Sequence, residues 1–178
     1  QDWIIAFFHH PPYTRGSHNS DNPADSGGRL RDMRENALPI LEAAGVDLVL
    51  TGHSHSYERS YLIDGHYGTS DTFQPSMLKD GGDGRLGGDG PYRKVALSGG
   101  SHDGAVHAVA GSSGQISGGP LNHPVMFISL NTLGSMVLDV DRNQLDARFI
   151  GTKGEVLDEF TLVKDAGASP TVEKILFL

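Results

Sequence analysis

The sequence predicts an α/β fold in which a parallel strand–helix–strand unit is followed by a run of antiparallel strands. Two observations lead to this prediction. Residues 3–51 contain two continuous apolar runs on either side of a stretch with helical periodicity. Residues 125–163 contain four short apolar segments separated by turn residues such as "DRNQ" and "GTKG", a pattern typical of an antiparallel sheet.

The first apolar run, "WIIAFF" at Trp3–Phe8, predicts a buried strand. Because both of its faces are apolar, it is typical of a parallel sheet that is covered on both sides. Pro11 and Pro12 end the strand. The polar loop that follows, Tyr13–Gly28, has no helix or strand pattern of its own, and loops of this length often carry functional residues.

A helix is predicted after this loop, because apolar residues recur at steps of three and four and make one stripe: Leu30, Met33, Ala37, Leu41 and Ala44. Gly45 is placed to end the helix. Pro39 lies inside the pattern and predicts a kink or a break into two short helices. The second apolar run, "VDLVLT" at Val46–Thr51, is then predicted to be parallel to the first, because a helical crossover joins parallel strands.

The chain changes character after Tyr61. A glycine-rich stretch runs to about Pro91, and "YRKVALSGG" then predicts a third strand. Four further segments are predicted to form antiparallel strands: "VMFISL", "SMVLDV", "LDARFI" and "VLDEFTLV". We assign residues 1–164 to one domain and residues 165–178 to a linker and an apolar tail. Gln1 is not an initiator methionine and the first strand begins almost at once, so we expect the chain to be a piece of a larger protein.

The composition excludes several classes of function. A net charge of −8 argues against a nucleic-acid partner, because phosphate backbones are bound by clustered lysine and arginine. No apolar run approaches the roughly 18 residues that cross a bilayer, so no membrane partner is expected. The chain has no cysteine, which excludes disulfides, thiolate zinc sites and a cysteine nucleophile. Nine histidines remain as candidates for metal or acid–base chemistry.

Histidines follow both predicted parallel strands. His9 and His10 end the first strand, and His53 and His55 come directly after the second. Ligand sites of open α/β sheets lie beyond the carboxyl ends of the strands, and imidazole suits zinc, iron and manganese. Residues two apart in an extended backbone point to the same side, so His53 and His55 are expected to face one pocket. The alternative is that both are loop residues bonded to backbone carbonyls; their placement beside His9 favours metal ligands.

The other histidines are weighed one by one. His9 and His10 point to opposite faces of an extended strand, so only one of them is expected to join the cluster. His18, in the polar loop, is a candidate to bind or protonate a substrate; the alternative is an exposed polar loop residue. His102 is left open. Three histidines are predicted to be ordinary turn and loop residues: His66, His107 and His123.

Four segments carry a resemblance to a known family: "WIIAFFHHPPY", "MRENALPILEAAGVDLVLTGHSHSYERS", "YRKVALSGGSHDG" and "GEVLDEFTLVK". They resemble purple acid phosphatases and the wider calcineurin-like metallophosphoesterase superfamily, from Trp3 to Lys164. The resemblance implies that the chain is the C-terminal half of the catalytic domain, whose fold is a four-layer α/β/β/α sandwich. It also implies hydrolysis of phosphate esters at a centre of two metal ions.

The resemblance assigns roles to individual residues. His9 matches a strand-end metal ligand, and His53 and His55 match two metal ligands, one for each ion. His18 falls where the family carries a substrate-facing histidine, which makes it the candidate catalytic and substrate-binding residue, and His10 fills a variable position. Four further residues are expected to lie around the ligands without binding metal: Tyr57, Glu58, Arg59 and Asp103.

The family's other motifs are not found before the first strand. They supply a bridging aspartate, further carboxylate and tyrosine ligands and an Asn-His pair, but here only Gln1 and Asp2 precede Trp3. "GDGPY" at Gly88–Tyr92 and "LNHP" at Leu121–Pro124 match by letters, yet in the wrong order, and we attribute both to chance. The missing N-terminal half is therefore an expected partner. The complete domain is expected to hold two ions, of iron, zinc or manganese, and this chain alone one divalent ion, weakly.

The sequence thus predicts a hydrolase of phosphate monoesters, with a phosphate ester or inorganic phosphate as its ligand. Two alternatives stay open. One is a phosphodiesterase or nucleotidase of the same superfamily, which differs in the pocket loops. The other is a non-catalytic metal-binding fragment that is inactive without the N-terminal half. The cellular location cannot be read from the residues, and the resemblance implies a secreted or periplasmic protein.

Overall fold

Two β-sheets pack face to face, and a helical segment covers the outer face of the larger sheet. The computed structural model describes residues 3–94 and 100–164, together with the backbone of Leu176–Phe177. In chain order the strands are Ile5–Phe7 (β1), Leu48–Thr51 (β2), Tyr57–Ser60 (β3), Leu62–Ile63 (β4), Leu78–Asp80 (β5), Tyr92–Lys94 (β6), Val106–Ala110 (β7), Met126–Leu130 (β8), Gly134–Asp141 (β9), Gln144–Gly151 (β10), Val156–Lys164 (β11) and Leu176–Phe177 (β12). Short 3₁₀ turns lie at Asp25–Gly28, Ser70–Thr72 and Pro75–Met77.

The larger sheet has six strands in the order β12-β1-β2-β7-β3-β8. β1 pairs in parallel with β2, with Ile5 opposite Leu48, and β7 extends the parallel run on the other side of β2. This confirms the predicted parallel strand–helix–strand unit. β3 and β8 complete the sheet as antiparallel strands, and the backbone of β12 pairs in parallel with β1.

The predicted helix is broken, as Pro39 indicates. Its parts are Arg29–Asp32 (α1), a π-helical turn at Met33–Ala37, and Leu38–Ala43 (α2). Pro39 lies in the first turn of α2, where its missing N–H removes no bond that the helix needs, and the wider turn before it takes up the mismatch.

The π-helical turn also changes which residues are buried. Leu30, Leu38 and Leu41 face the sheet and are buried. Ala44, expected in the apolar stripe, is exposed. A turn with one extra residue rotates the following helix about its axis, so a stripe extrapolated from a regular helix drifts away from the true buried face.

The second half of the chain forms the smaller sheet, in the order β6-β11-β10-β9. β9, β10 and β11 make the predicted antiparallel meander. The predicted "VMFISL" strand is β8, which joins the larger sheet instead. Of the predicted third strand, β6 is described and pairs in parallel with β11; residues 95–99 lie outside the described residues.

Side chains of the parallel strands alternate between two cores. Val49 packs toward the helix, whereas Leu48 and Leu50 pack between the two sheets. Helix, larger sheet and smaller sheet are therefore three successive layers within the described part of the chain. Among the same residues, no helix is long and apolar enough to cross a membrane. The predicted linker and tail lie mostly outside the described residues, apart from the backbone of β12.

Candidate metal centre

Four histidines meet beyond the carboxyl ends of β1 and β2. Nε2 of His9 and Nδ1 of His53 are 2.9 Å apart, within hydrogen-bonding distance. The ring of His10 lies 4.6 Å from that of His53, measured between centroids. His18 stacks on the ring of His53, at 4.0 Å between ring centroids and 24° between planes. The placement of a ligand site at this edge follows directly from the parallel pairing of the two strands.

His10 joins the cluster, contrary to the expectation that only one histidine of the pair could do so. The ligand atoms of His9, His10 and His53 all lie within 4.8 Å of one another, close enough to hold one metal ion. The alternation of side chains applies only to extended backbone, and β1 ends at Phe7. His9 and His10 occupy a bend, so both rings turn to the same side.

His55 does not join this cluster. His53 has a left-handed backbone with φ of 60°, and the Ser54 amide bonds the Gly52 carbonyl at 2.6 Å, so the chain turns sharply where an extended backbone was assumed. Nδ1 of His55 lies 3.1 Å from the hydroxyl of Ser117. The structure therefore separates the two rings that were expected to face one pocket, and a ligand role for His55 stays a prediction.

The polar loop adds two residues that sequence reasoning did not single out. Asp25 Oδ1 lies 2.8 Å from Nδ1 of His18, and the hydroxyl of Ser26 lies 2.6 Å from Nε2 of His53. The ligand atoms of His18, Asp25 and His53 form a second group within 4.8 Å. The length of the loop was the available signal, since it indicated function without indicating which of its polar residues turn inward.

Burial and neighbouring charges favour the uncharged form of two histidines of the cluster, His53 and His10. Partial burial lowers the pKa of His53 to about 4, helped by the like charges that His18, His10 and His9 would carry. Burial and His9 lower the pKa of His10 in the same way. Neutral imidazole is the form that binds metal, so His53 and His10 are held in their ligating state near neutral pH.

Asp25 stays ionised beside these rings. Burial alone would raise the pKa of its carboxyl group, but hydrogen bonds from the Asn19 amide, Ser26 and His18 bring the pKa below its ordinary value. The Asn19 amide donates to Oδ2 at 2.8 Å, opposite the oxygen that faces His18. Asp25 is thus a fixed negative charge at the edge of the histidine cluster.

Two glycines let neighbouring segments approach the turn after β2 that carries His53. A Cβ at Gly16 would collide with the hydroxyls of Ser54 and Ser56, and a Cβ at Gly111 would collide with the Ser54 carbonyl. The hydroxyls of Thr14 and Ser54 bond at 2.9 Å across the same contact. This packing holds the turn that carries His53 against the polar loop that carries His18.

Part of the sequence is similar to known phosphoesterases. Residues 1–57 match the family described as calcineurin-like phosphoesterase. Purple acid phosphatase 18 of Arabidopsis thaliana is 39% identical over 82 residues, which cover 45% of this chain and 17% of that protein. An uncharacterized Mycobacterium tuberculosis protein, matched in two strains, is 38% identical over 74 residues, which cover 42% of this chain and 12% of that protein.

The fold is also similar to that of a solved structure. Purple acid phosphatase PPD1 from yellow lupin (Lupinus luteus) seeds matches with a TM-score of 0.65 and 19% identity, over 97% of this chain and 28% of that one. In part of its sequence and in its fold, the chain is similar to purple acid phosphatases. It spans less than a third of the length of each of these relatives.

Glu58 lies beneath the turn that carries His53. Its Oε1 accepts bonds from the Arg15 amide at 3.3 Å and the Ser56 hydroxyl at 3.4 Å. Burial raises the pKa of the Glu58 carboxyl group to about 7, and these bonds oppose the rise. Glu58 therefore supports the loop from below without touching a histidine of the cluster.

Tyr57 and Arg59 are directed away from the metal centre. They lie on the other face of β3, where both bond Asp158 between the two sheets: the Tyr57 hydroxyl at 2.8 Å and Nε of Arg59 at 2.6 Å. All three side chains are buried, so the group forms a paired polar network in the core between the two sheets. The expectation that Tyr57 and Arg59 surround the ligands is wrong, because side chains alternate along a strand.

Asp103 is not near the metal centre either. It precedes β7, and β7 is parallel to β2, so Asp103 lies at the amino edge of the sheet while the histidines lie at the carboxyl edge. The resemblance in sequence implied that Asp103 lies around the ligands. Such a resemblance carries no information about the direction of the strand that follows.

The donors present fit one first-row divalent ion. Neutral nitrogens from His9, His10 and His53 are the kind of ligand that zinc, iron and manganese accept, and Asp25 adds one carboxylate nearby. Two ions about 3.5–4 Å apart need bridging negative charge. Within the described residues of this cluster the one carboxylate is already paired with His18, so a second ion requires further anionic ligands.

Proposed function

We propose that this chain is the histidine-bearing, C-terminal part of a phosphatase domain that hydrolyses phosphate monoesters. The observation that carries the proposal is the 2.9 Å approach of His9 and His53 at the ends of adjoining parallel strands, with His18 stacked 4.0 Å from His53. This arrangement brings metal ligands and an acid–base group into contact with one imidazole, that of His53. The matches to calcineurin-like phosphoesterases and purple acid phosphatases support phosphoesterase chemistry.

Within this proposal, residues 1–164 form the C-terminal part of the catalytic domain, and His9, His10, His53 and His55 hold metal. The complete domain binds two ions, of iron, zinc or manganese, with the remaining carboxylates supplied by the N-terminal half. The ions, when bound, supply Lewis acidity toward phosphoryl oxygens. By the same resemblance, we propose that the protein is secreted or periplasmic.

His18 is the proposed substrate-facing residue. Asp25 accepts a bond from its Nδ1, which fixes the orientation of the ring and leaves Nε2 for the substrate. From that position Nε2–H can bond a phosphoryl oxygen and donate a proton to the oxygen of the leaving group. Ser26, which bonds both the Asp25 carboxylate and His53, couples the orientation of the acid–base pair to that of the metal ligand.

The test compares this chain alone with a protein that also contains the segment encoded upstream of it. Metal content is measured by mass spectrometry, and hydrolysis is followed with an aryl phosphate monoester and the matching diester. We expect about one ion and no turnover for the chain alone, and two ions with a preference for the monoester in the longer protein. His53→Ala should abolish that turnover, whereas Lys153→Ala, in the exposed turn before β11, should preserve it.

Two outcomes would overturn the proposal in different ways. Faster hydrolysis of the diester by the longer protein would assign the site to a phosphodiesterase. A longer protein that binds metal but hydrolyses neither ester would make the chain a metal-binding structural element.

A further inference from the structure

A second group of ligating side chains lies at the opposite edge of the larger sheet. Glu42 is at the end of α2, Asp64 follows β4, and His102 lies in the turn before β7. The ligand atoms of the three residues all lie within 4.8 Å of one another. Because the turn before β7 is at the amino end of the parallel strands, this group is separate from the histidines at the carboxyl ends.

Glu42 is the buried member, at 2% exposure. Its Oε2 accepts hydrogen bonds from the Gly65 amide at 2.9 Å and from the Tyr67 hydroxyl. Its Oε1 is also buried, yet it has no hydrogen-bond partner among the described residues. A buried carboxylate oxygen without a donor is unfavourable, and buried polar groups without partners often mark the place of an ion or water.

Asp64 brings a second carboxyl group to this oxygen. Its Oδ1 lies 3.1 Å from Nδ1 of His102, and its Oδ2 lies 3.6 Å from Nζ of Lys79. Burial, together with the Asp64 carboxylate, raises the pKa of the Glu42 carboxyl group to about 7, although the bonds from Tyr67 and Gly65 oppose the rise. The two carboxyl groups therefore need either a shared proton or a cation between them.

The backbone holds His102 at this position. Its amide donates to the Glu42 carbonyl at 3.0 Å, and its φ of 62° is left-handed, a conformation that histidine adopts rarely. The side chain is 48% exposed, so an ion could reach the group from solvent. Adjacent ligand atoms on an ion with bonds of about 2.1 Å lie roughly 3 Å apart, close to the separation of His102 and Asp64.

We propose that Glu42, Asp64 and His102 bind one first-row divalent cation, with water completing its coordination. Two carboxylates and one imidazole match zinc, manganese and related ions; calcium and magnesium prefer shells made of oxygen alone. The ion would join the end of α2, the end of β4 and the turn before β7. The proposal does not depend on the proposed phosphatase function, because none of its residues belongs to the strand-end cluster.

The experiment removes the first site before it examines the second. The chain carrying His9→Ala and His53→Ala is titrated with Zn²⁺ by calorimetry, and with Co²⁺ to follow its visible absorption. We expect one ion per chain. Adding Glu42→Gln or His102→Asn should weaken binding by more than about tenfold, a loss already typical of partners that only orient a ligand. Lys153→Ala in the same background should leave binding unchanged.

His102→Asn also guards against misfolding, since asparagine tolerates the left-handed backbone and the residue is partly exposed. Its unfolding curve without metal should match that of its parent. The proposal is overturned if the double-alanine chain binds no Zn²⁺ or if the two variants bind it as tightly as their parent. The proposal is also overturned if two results occur together. Zn²⁺ leaves the unfolding temperature of the double-alanine chain unchanged, and Glu42→Gln abolishes a gain in stability that this chain shows below pH 7. The two carboxyl groups would then share a proton and not a cation.

Discussion

The molecule contains two groups of histidines that look alike in sequence and differ in physical situation. His9, His10, His18 and His53 meet at the end of the parallel strands, partly open to solvent. The other group surrounds the buried ring of Tyr13 and is itself almost fully buried: His66 at 0%, His107 at 3% and His123 at 3% exposure. Their rings lie 5.4, 4.9 and 5.7 Å from that of Tyr13, between centroids.

A lowered pKa occurs in both groups of histidines and therefore does not distinguish them. The arrangement of their ring nitrogens does. Burial lowers the pKa of His66 to about 4 and that of His107 to about 3, as low as that of His53. Both ring nitrogens of His66 and His107 are buried without a hydrogen-bond partner among the described residues. What marks the strand-end group is that its ligand atoms converge within 4.8 Å in two sets that share His53, one with His9 and His10 and one with His18 and Asp25. A depressed histidine pKa reports desolvation first, and a ligand site only when the donors also converge.

The buried group also corrects an expectation. His66, His107 and His123 were predicted to be ordinary residues of turns and loops, but His107 lies within β7 and all three pack into the core beneath the helix. A buried neutral imidazole is a flat, half-apolar ring that stacks well on tyrosine, and its cost is the lost solvation of its nitrogens.

Acidification is expected to have the largest effect, and it acts on the buried group. The pKa of each buried histidine is about 3 or 4 when folded and about 6.5 when unfolded, so the unfolded chain binds more protons below pH 6.5. The stability that the three neutral histidines contribute is complete above pH 6.5, and it is lost as the pH falls toward their pKa values in the folded chain. Between pH 6.5 and 4.5 we expect a loss of about 2–3 kcal/mol per histidine in the free energy of unfolding, measured by urea denaturation in EDTA.

The control for this prediction is His107→Leu, which removes one of the three groups. Its free energy of unfolding should fall with acidification by about a third less than that of the parent. Glu58 acts with the opposite sign, because burial raises its pKa to about 7 and its stabilisation is lost as the pH rises through that value. The difference between the two proteins is therefore the test, and equal pH dependence would show that His107 does not stay neutral in the core.

Removing a ligand is expected to separate the two groups by metal content. His53→Ala takes away the ring that contacts His9, His10 and His18. The Zn²⁺ affinity of the strand-end cluster should therefore fall by about 100-fold or more. His107→Leu should leave it unchanged. The measurement is Zn²⁺ titration in the Glu42→Gln background, so that only the strand-end cluster is reported. Equal weakening in both variants would mean that the loss comes from the fold and not from the site.

A smaller effect is expected for Asp25→Asn, which keeps the shape of the loop but removes the charge that orients His18. In the longer protein, monoester hydrolysis should fall by about 10–100-fold in kcat, with KM changed little. The loss should fall on kcat because the Asp25 carboxylate bonds Nδ1 of His18 and so fixes the orientation of the ring. An unchanged kcat would leave Asp25 as a support for the loop alone.

The smallest effect is expected for His10→Asn. His9 and His53 contact each other through their nitrogens, whereas His10 approaches them ring to ring. Zn²⁺ affinity should therefore fall within about tenfold, less than for His9→Asn. If the two variants lose affinity equally, His10 is a full ligand and the cluster has three equivalent imidazoles.

The sequence by itself determined the parallel unit, the antiparallel meander, the break at Pro39 and the meeting of His9 with His53. These follow from local information, since hydrophobic periodicity sets each element and parallel pairing brings strand ends to one edge. It also carried the resemblance that the comparisons bear out.

Only the tertiary structure decided the membership of the site. The bend after Phe7 brings His10 in, the left-handed turn at His53 separates His55, and the fold of the polar loop places Asp25 against His18. Each depends on a backbone torsion or a contact between residues distant in the chain. The burial of His107 depends likewise on β7 pairing between β2 and β3, which no pattern within five residues of that strand could reveal.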